Sequence, residues 1–221
     1  MGNRQHIYLS RITTMLQNLI KNLAINYCKT EINEHCKDSE QYINELFDRK
    51  KNEIKDEINI ITADVKNLYP SLKRNLIKSS LEECLKVCSN YNKNHYTQII
   101  KTIMFCLESN YINFQNILYK NNQGIPTGEN FSVSLANIAL HYTTKKNLNL
   151  CYIYKRYIDD IIFLYPADKT LLIQNELNEK FDTHKLSLQF KKFSTKVEGE
   201  ELELLDVLHI IKSSERNGFN P

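Results

Sequence analysis

Two adjacent aspartates, Asp159 and Asp160, interrupt a stretch of the chain that otherwise has the composition of a buried β-strand. Residues 155–164 are rich in Tyr, Ile and Phe, which favour strands, so both acids fall at the centre of an apolar run. An ionised carboxylate is rarely buried alone, because removing its water costs several kcal/mol. Two structures would relieve this cost: a tight turn that exposes both carboxylates, or a bound divalent cation.

The rest of the chain has the composition of an ordinary globular protein. Its 221 residues suffice for one full domain with a core, and 42% of them are hydrophobic against 25% charged. No apolar run approaches the length of a membrane span, and the N-terminus lacks the apolar core of a secretory signal. We therefore expect an intracellular protein, in the nucleus or cytoplasm, that does not interact with membranes.

The net charge is small, but the basic residues are clustered. The chain carries 29 basic and 26 acidic residues, a net charge of +3 that does not by itself indicate nucleic-acid binding. Taken singly, each basic cluster is typical of a solvated face, and the clusters are Arg49-Lys50-Lys51, Lys73-Arg74, Lys155-Arg156 and Lys191-Lys192. The six cysteines contain no Cys-x-x-Cys pair, so we predict reduced thiols rather than a zinc site or disulfides.

The order of predicted elements indicates an α+β fold. Residues 1–57 predict a helical N-terminal segment, residues 58–211 the main domain, and residues 212–221 a C-terminal tail. Within the main domain the pattern predicts strands at 57–65, 111–119, 186–193 and 202–211, and a strand pair flanking Asp159. It predicts helices at 72–90, 96–108, 130–146 and 167–181. This grouping favours a mainly antiparallel sheet with helices packed on one face.

A third carboxylate, Asp64, stands at the C-terminal end of the strand predicted at 57–65. A strand end and a neighbouring hairpin tip can bring Asp64 within ~5 Å of Asp159 and Asp160. Three such carboxylates would raise one another's pKa unless a cation neutralised them. Mg²⁺ is the expected cation, because it prefers oxygen ligands, and two ions about 4 Å apart form the clamp used in nucleotidyl transfer.

A glycine-rich segment lies between these carboxylates in the sequence. Gly124 and Gly128 relax the backbone and would let another molecule approach the main chain, and Asn130 is a plausible N-cap for the helix that follows. Such turns also occur at ordinary loop-to-helix junctions. The segment alone therefore does not indicate a binding site, and it does so only together with the carboxylates on either side of it in the sequence.

Taken together and in order, these segments resemble the palm domain of reverse transcriptases. The matching blocks are residues 64–69, residues 123–132 and Tyr157-Ile158-Asp159-Asp160, which look like the family's motifs A, B and C. Details resemble the Penelope-like retroelement enzymes in particular: Leu204-Leu205-Asp206-Val207, Leu135-Ala136-Asn137-Ile138 and the Arg156 that precedes motif C. The resemblance covers residues 58–211 and implies a polymerase palm preceded by a short, fingers-like helical segment.

The resemblance implies an RNA-directed DNA polymerase that uses an RNA template, a DNA primer and deoxynucleoside triphosphates. Asp64, Asp159 and Asp160 would form the catalytic carboxylate cluster and bind two Mg²⁺ ions, which Mn²⁺ could replace. Tyr69 would pack under the incoming sugar and leave no room for a 2′-hydroxyl. Gln123 and Gly124 would line the nucleotide and template side of the pocket.

Several points stay open in the sequence. Either Lys191 or Lys192 would sit near the triphosphate and protonate the leaving pyrophosphate. No basic fingers motif is evident before Asp64, and the chain ends at Pro221, so we expect reduced fingers and no thumb. Two alternatives follow: an inactive palm remnant that only binds nucleic acid, and an RNA-templated RNA polymerase, against which Tyr69 argues.

Other polar residues are interpreted as structural. His141 and His209 lie in apolar segments, and Ser132 has neither a nucleophile elbow nor a histidine to activate it. Asp206 lies in a block that resembles a structural hairpin near the primer, so we leave it out of the catalytic set.

Overall fold

A computed structural model of the chain describes residues 2–28, 44, 58–88, 92–144, 151, 153–194, 201–204 and 207–210. The helices are α1 Gly2–Tyr27, α2 Leu68–Ser71, α3 Arg74–Cys88, α4 Lys93–Glu108, α5 Ser132–Thr144 and α6 Thr170–Thr183. The strands are β1 Ile58–Val65, β2 Tyr111–Phe114, β3 Ile117–Lys120, β4 Ile153–Tyr157, β5 Asp160–Pro166, β6 Leu188–Ser194, β7 Glu201–Leu204 and β8 Val207–Ile210. The basic cluster at 49–51, Cys36, Asp206 and the tail at 212–221 lie outside the described residues.

The main sheet has four strands in the order β4-β5-β1-β6, and every neighbouring pair is antiparallel. β1 and β5 occupy the inner positions, as their apolar, β-branched sequences predict for strands that are covered on both faces. The predicted α+β fold with an antiparallel sheet is therefore confirmed.

One face of this sheet packs against the helices. Alternate residues of β1 and β5 enter the hydrophobic core, and they include Ile61, Ala63 and Phe163. The central helix α5 is buried on almost its whole circumference, which is expected for a helix that is apolar all round. α1 joins the same core through Leu16, Ile20, Leu23, Ala24 and Tyr27.

Two predicted strands are in fact hairpins. Residues 111–119 form β2 and β3, joined by Gln115 and Asn116, which both have positive φ values of 52° and 61°. The single-strand prediction was wrong because this turn lacks the glycine that usually marks a two-residue hairpin. Residues 202–211 similarly contain β7 and β8, with Leu204 paired to Val207. The hairpin expected from the resemblance around residues 204–207 is therefore confirmed.

The start of α5 also differs from its prediction. α5 begins at Ser132 rather than near Asn130, so Asn130 is not its N-cap. The amide of Ser132 instead donates to the carbonyl of Glu129 (3.0 Å), and its hydroxyl donates to the carbonyl of Pro126 (2.6 Å). These bonds anchor the glycine-rich loop to the first turn of the helix.

The described cysteines are all free thiols, as predicted: Cys28, Cys84, Cys88, Cys106 and Cys151. Burial raises the pKa of the Cys151 thiol to about 12, which makes it a poor nucleophile at neutral pH. Within the described ranges, no helix is long and apolar enough to cross a membrane.

Candidate active site

The sheet places Asp64 directly opposite Asp160. These residues pair in the antiparallel register of β1 and β5, near the C-terminal end of β1 and at the first residue of β5. Opposite residues in such a pair have Cβ atoms about 4.5–5.5 Å apart and project from the same face of the sheet. The expected meeting of the two segments is therefore confirmed.

Asp159 lies in the two-residue turn that joins β4 to β5. Tyr157 pairs with Asp160 across the turn, and Ile158 has a φ of 53°. A β-branched residue rarely adopts this left-handed conformation, which costs on the order of 1–3 kcal/mol. The amide of Val65 donates to the carbonyl of Asp159 (3.2 Å), which fixes the turn beside the end of β1.

A buried arginine forms a hydrogen bond to this turn. Arg156 is only 1% exposed; its Nη1 donates to the Asn137 side chain (2.6 Å) and to the Ile158 carbonyl (3.1 Å). Its Nη2 also donates to the Asn137 carbonyl (3.3 Å). The interpretation of Lys155-Arg156 as a solvated face was wrong, since Lys155 is also buried at 5% exposure. Their place inside an apolar strand pattern was the signal that a solvated face did not fit.

Burial and charge perturb the groups around the turn. Burial raises the pKa of Asp159, a hydrogen bond from its own backbone lowers it, and the nearby charge of Asp64 raises it further. Burial also raises the pKa of the Tyr69 phenol, and the charge of Asp159 adds to that rise. Asp159 therefore lies close enough to both Tyr69 and Asp64 for its charge to interact with theirs.

The glycine-rich loop packs against the backbone that follows β1. The amide of Ile125 donates to the carbonyl of Tyr69 (2.9 Å). Gly124 has a φ of 67°, and a Cβ there would lie 2.4 Å from the Tyr69 oxygen and 2.6 Å from the Pro70 Cα. The protein's own chain therefore leaves no room for a side chain at position 124. The place of Gly124 on the nucleotide side of the pocket stays a prediction. A Cβ at Gly128 would meet nothing within 4 Å.

The two remaining predicted site residues lie at the edges of this region. Gln123 is exposed and lines two open cavities, of about 410 Å³ and 720 Å³. Position 191 pairs with Thr62, and position 189 pairs with Asp64, so positions 189 and 191 share the Asp64 face of the sheet. Position 192 pairs with Ile61, whose side chain lies in the hydrophobic core.

No protein-family model and no curated protein matches this chain in sequence. Solved structures do match it in fold. Apo telomerase from Candida tropicalis superimposes with a TM-score of 0.74 at 14% identity, over 90% of this chain and 38% of that chain. Telomerase from Candida albicans in complex with a TWJ fragment of telomeric RNA gives a TM-score of 0.72 at 12% identity, over 90% and 36%. The chain therefore has the α+β, polymerase-palm-like fold of these telomerase structures over the matched region.

The chain spans 38% and 36% of the length of these two telomerase chains. A chain in the structure of the segmented genome and RNA polymerase complex inside a dsRNA virus matches less well, with a TM-score of 0.52 at 12% identity, over 91% of this chain and 19% of that chain. These likenesses concern the fold alone, so the Penelope-like resemblance stays a prediction.

The number of carboxylates that converge at the turn determines how they could bind Mg²⁺. Among the described residues, no group of three or more His, Cys, Asp or Glu side chains is arranged to hold a metal ion. Mg²⁺, however, is often held by one or two carboxylates, with substrate phosphates and water completing its shell. In the same residues, no lysine or arginine forms an ion pair with Asp64 or Asp159. The carboxylates therefore fit an ion that is shared with substrate, rather than one enclosed by protein ligands alone.

Two other polar residues of the palm are structural, as predicted. His141 is buried, and its ring packs edge-on against Tyr27 with centroids 4.5 Å apart. The Ser132 hydroxyl donates to the carbonyl of Pro126, so it is held in the loop junction. His209 lies in β8, where its backbone pairs with that of Leu202.

Proposed function

We propose that this chain is the palm of an RNA-directed DNA polymerase, which adds deoxynucleotides to a DNA primer paired with an RNA template. The observation that supports this most is the pairing of Asp64 with Asp160 beside the turn of Asp159, within a palm that has the fold of telomerases. The Penelope-like motifs further suggest that the palm derives from a retroelement, acting in the nucleus or cytoplasm.

In this proposal Asp64 and Asp159 hold the metal ions, and Asp160 completes the carboxylate cluster. Two Mg²⁺ ions bound there would activate the primer 3′-hydroxyl and neutralise charge on the leaving pyrophosphate, and Mn²⁺ could replace them. The Arg156 hydrogen bond to the Ile158 carbonyl keeps the Asp159 turn in place without any substrate. The raised pKa of Asp159 fits a carboxylate that gains a cation during function.

Three further residues would position the nucleotide. Tyr69, whose carbonyl is fixed by Ile125, would lie under the incoming sugar and exclude a 2′-hydroxyl. Gln123, at the exposed edge of the loop, would contact the nucleotide and the template. Lys191, which shares the sheet face of Asp64, would donate a proton from Nζ to the leaving pyrophosphate.

Primer extension on an RNA template with a DNA primer, in Mg²⁺ and then in Mn²⁺, tests the proposal. We expect the parent protein to extend the primer, and Asp159→Asn to reduce extension by at least about a hundredfold. Asp168→Asn is the matched control, because Asp168 is exposed, lies two residues after the end of β5 and forms an ion pair with Lys169.

Retained extension by folded Asp159→Asn protein would contradict the assignment. Salt-sensitive binding of nucleic acid by the parent, without any incorporation, would instead favour the inactive palm remnant.

A second candidate is an RNA-templated RNA polymerase, which the weaker fold match to the viral complex favours. The choice of nucleotide separates the two candidates. Efficient incorporation of ribonucleotides by the parent would support the second, and a preference for deoxynucleotides would support the first.

A further inference from the structure

A cavity of about 410 Å³ opens between the chain after β1, the glycine-rich loop and the turn before β6. Three basic side chains line it, Lys73, Arg74 and Lys185, together with Gln123 and Gly124. No acidic side chain is among its lining residues. The cavity therefore concentrates positive charge in a concave site whose lining residues include no acid, although Glu108 lies near enough to Arg74 to interact with its charge.

Arg74 is held in this wall with part of its hydrogen-bonding capacity unused. Its Nη2 donates to the carbonyl of Asn121 (3.3 Å), whereas Nε and Nη1 are buried and have no acceptor within the described structure. Burial lowers the pKa of Arg74 and the charge of Glu108 raises it, yet the guanidinium stays charged at neutral pH. The Arg74 guanidinium therefore places a positive charge in the wall of the cavity, and it is held there by its bond to the Asn121 carbonyl.

A second basic cavity differs from the first in the balance of charges among its lining residues. It is lined by four lysines, Lys78, Lys86, Lys93 and Lys101, but also by Glu82, which offsets part of their charge. Of these two cavities in the described structure, only the first combines lysines with a guanidinium whose planar donors suit the oxygens of a phosphate. It also shares Gln123 with the proposed nucleotide site.

We propose that the cavity of Lys73, Arg74 and Lys185 binds a phosphate group of the substrate. The inference rests on the proposed function, and it deepens it by adding a site outside the carboxylate cluster. The phosphate would come from the triphosphate of the incoming nucleotide or from the backbone of a bound nucleic-acid strand. Both sources present the same oxyanion, and direct binding experiments distinguish them.

Lys73→Ala and Lys185→Ala are the test variants, because both remove a cation from the cavity without truncating a buried side chain. Lys78→Ala is the matched control, since Lys78 is an exposed lysine of α3 that lines the other cavity. Two probes are titrated at several salt concentrations: inorganic triphosphate by calorimetry, and a single-stranded oligonucleotide without terminal phosphates by fluorescence anisotropy. Neither measurement requires polymerisation.

We expect each test variant to weaken binding of at least one probe by about three- to tenfold relative to Lys78→Ala. Weaker binding of triphosphate alone assigns the cavity to the nucleotide. Weaker binding of the oligonucleotide alone, with a salt slope lower by about 0.7, assigns it to a strand phosphate. Dissociation constants equal to those of Lys78→Ala for both probes would overturn the proposal.

Arg74→Lys provides an independent check that keeps the charge but removes the planar donors. We expect weaker binding of the same probe that Lys73→Ala affects, in protein that keeps its circular dichroism spectrum. If the parent binds these probes through the cavity but never extends a primer, the phosphate site stands and the polymerase proposal fails. If it extends primers and no variant alters binding, the polymerase proposal stands and the phosphate site fails.

Discussion

The guanidinium of Arg156 and the side chain of Asn137 share a 2.6 Å hydrogen bond inside the core of the palm. Through its bond to the Ile158 carbonyl, the same guanidinium joins helix α5 to the turn that carries Asp159. The glycine-rich loop leads into α5, so this pair couples the loop and the carboxylate turn mechanically. The two residues are 19 positions apart in sequence.

Substitutions at Arg156 and Asn137 should lower the free energy of unfolding, and their effects should not be additive. We expect Arg156→Met to lower the free energy of unfolding by about 2–4 kcal/mol, because it leaves buried acceptors without their charged donor. Asn137→Ala should lower it by about 1–3 kcal/mol. In urea denaturation the double variant should lose less than the sum, by about 1 kcal/mol.

The control for that cycle combines Asn137→Ala with Thr183→Ala, at an exposed residue of α6 that bonds only within its own helix among the described contacts. These two effects should add. Additivity in the Arg156 cycle as well would show that the pair does not act as a unit.

Gly124 and Gly128 should respond differently to alanine. Both have positive φ, 67° and 94°, but only a Cβ at Gly124 would strike the Tyr69 carbonyl. We expect Gly128→Ala to cost about 1–2 kcal/mol from backbone strain alone. Gly124→Ala should cost at least about 1 kcal/mol more, because the loop must move away from the chain after β1. Equal melting temperatures for the two variants would contradict the close packing.

The pH dependence of stability should report on Asp159. Its pKa is raised in the fold above the ordinary value of 3.8, so the folded protein binds this proton more tightly than the unfolded chain. The stability that the protonated carboxyl contributes is complete below its unfolded pKa and is lost as the pH rises through the raised folded pKa. At pH 7 the ionised group is therefore unfavourable in metal-free protein.

We accordingly expect Asp159→Asn to raise the melting temperature of metal-free protein by about 1–3 °C at pH 7. This gain should shrink as the pH falls through the raised pKa of Asp159, and it should vanish below the ordinary value of 3.8, where the carboxyl is protonated in both the folded and the unfolded state. Added Mg²⁺ should stabilise the parent more than the variant, since ligand binding to the folded state raises its stability. Asp168→Asn, at an exposed site, should show no gain at any pH.

Tyr69 should control the choice of sugar. We expect Tyr69→Ala to increase incorporation of ribonucleotides relative to deoxynucleotides by about tenfold or more, a change of ~1.4 kcal/mol in discrimination. Tyr69→Phe should keep the parent's preference, because the ring rather than the hydroxyl would exclude the 2′-hydroxyl. Single-nucleotide extension with matched nucleotide pairs measures the ratio. An unchanged preference in Tyr69→Ala would contradict the proposal that Tyr69 excludes the 2′-hydroxyl, and it would favour the RNA polymerase candidate.

Substitutions at Lys191 and Lys192 should differ in their effect on the rate of nucleotide incorporation, because the two positions alternate between the faces of β6. Position 191 shares the Asp64 face, whereas position 192 pairs with a core residue, Ile61. We expect Lys191→Ala to reduce the rate of nucleotide incorporation by about tenfold to a hundredfold. Lys192→Ala should leave that rate near the parent's, provided that the protein is folded. Single-turnover kinetics measures both, and the opposite ranking would assign the role to Lys192.

The strands around the carboxylates were predictable because their signals are local. An apolar run broken by Asp159 and Asp160 indicates a turn between two strands, and β-branched residues before Asp64 indicate a third. The hairpin of β2 and β3 escaped prediction because Gln115 and Asn116 adopt positive φ without a glycine. Side-chain alternation alone does not distinguish one long strand from two short ones.

By itself the sequence determined which residues are candidates for the proposed chemistry: Asp64, Asp159 and Asp160 follow from their carboxylates and strand positions. Tertiary structure alone decided what surrounds them. The burial of Arg156, the contact of Gly124 with the Tyr69 carbonyl and the basic cavity at Arg74 all join segments distant in sequence. Periodicity reports which face of its own element a residue occupies, but not which distant segment that face meets. Partners across a fold are fixed only when the sheet register and the helix packing are set.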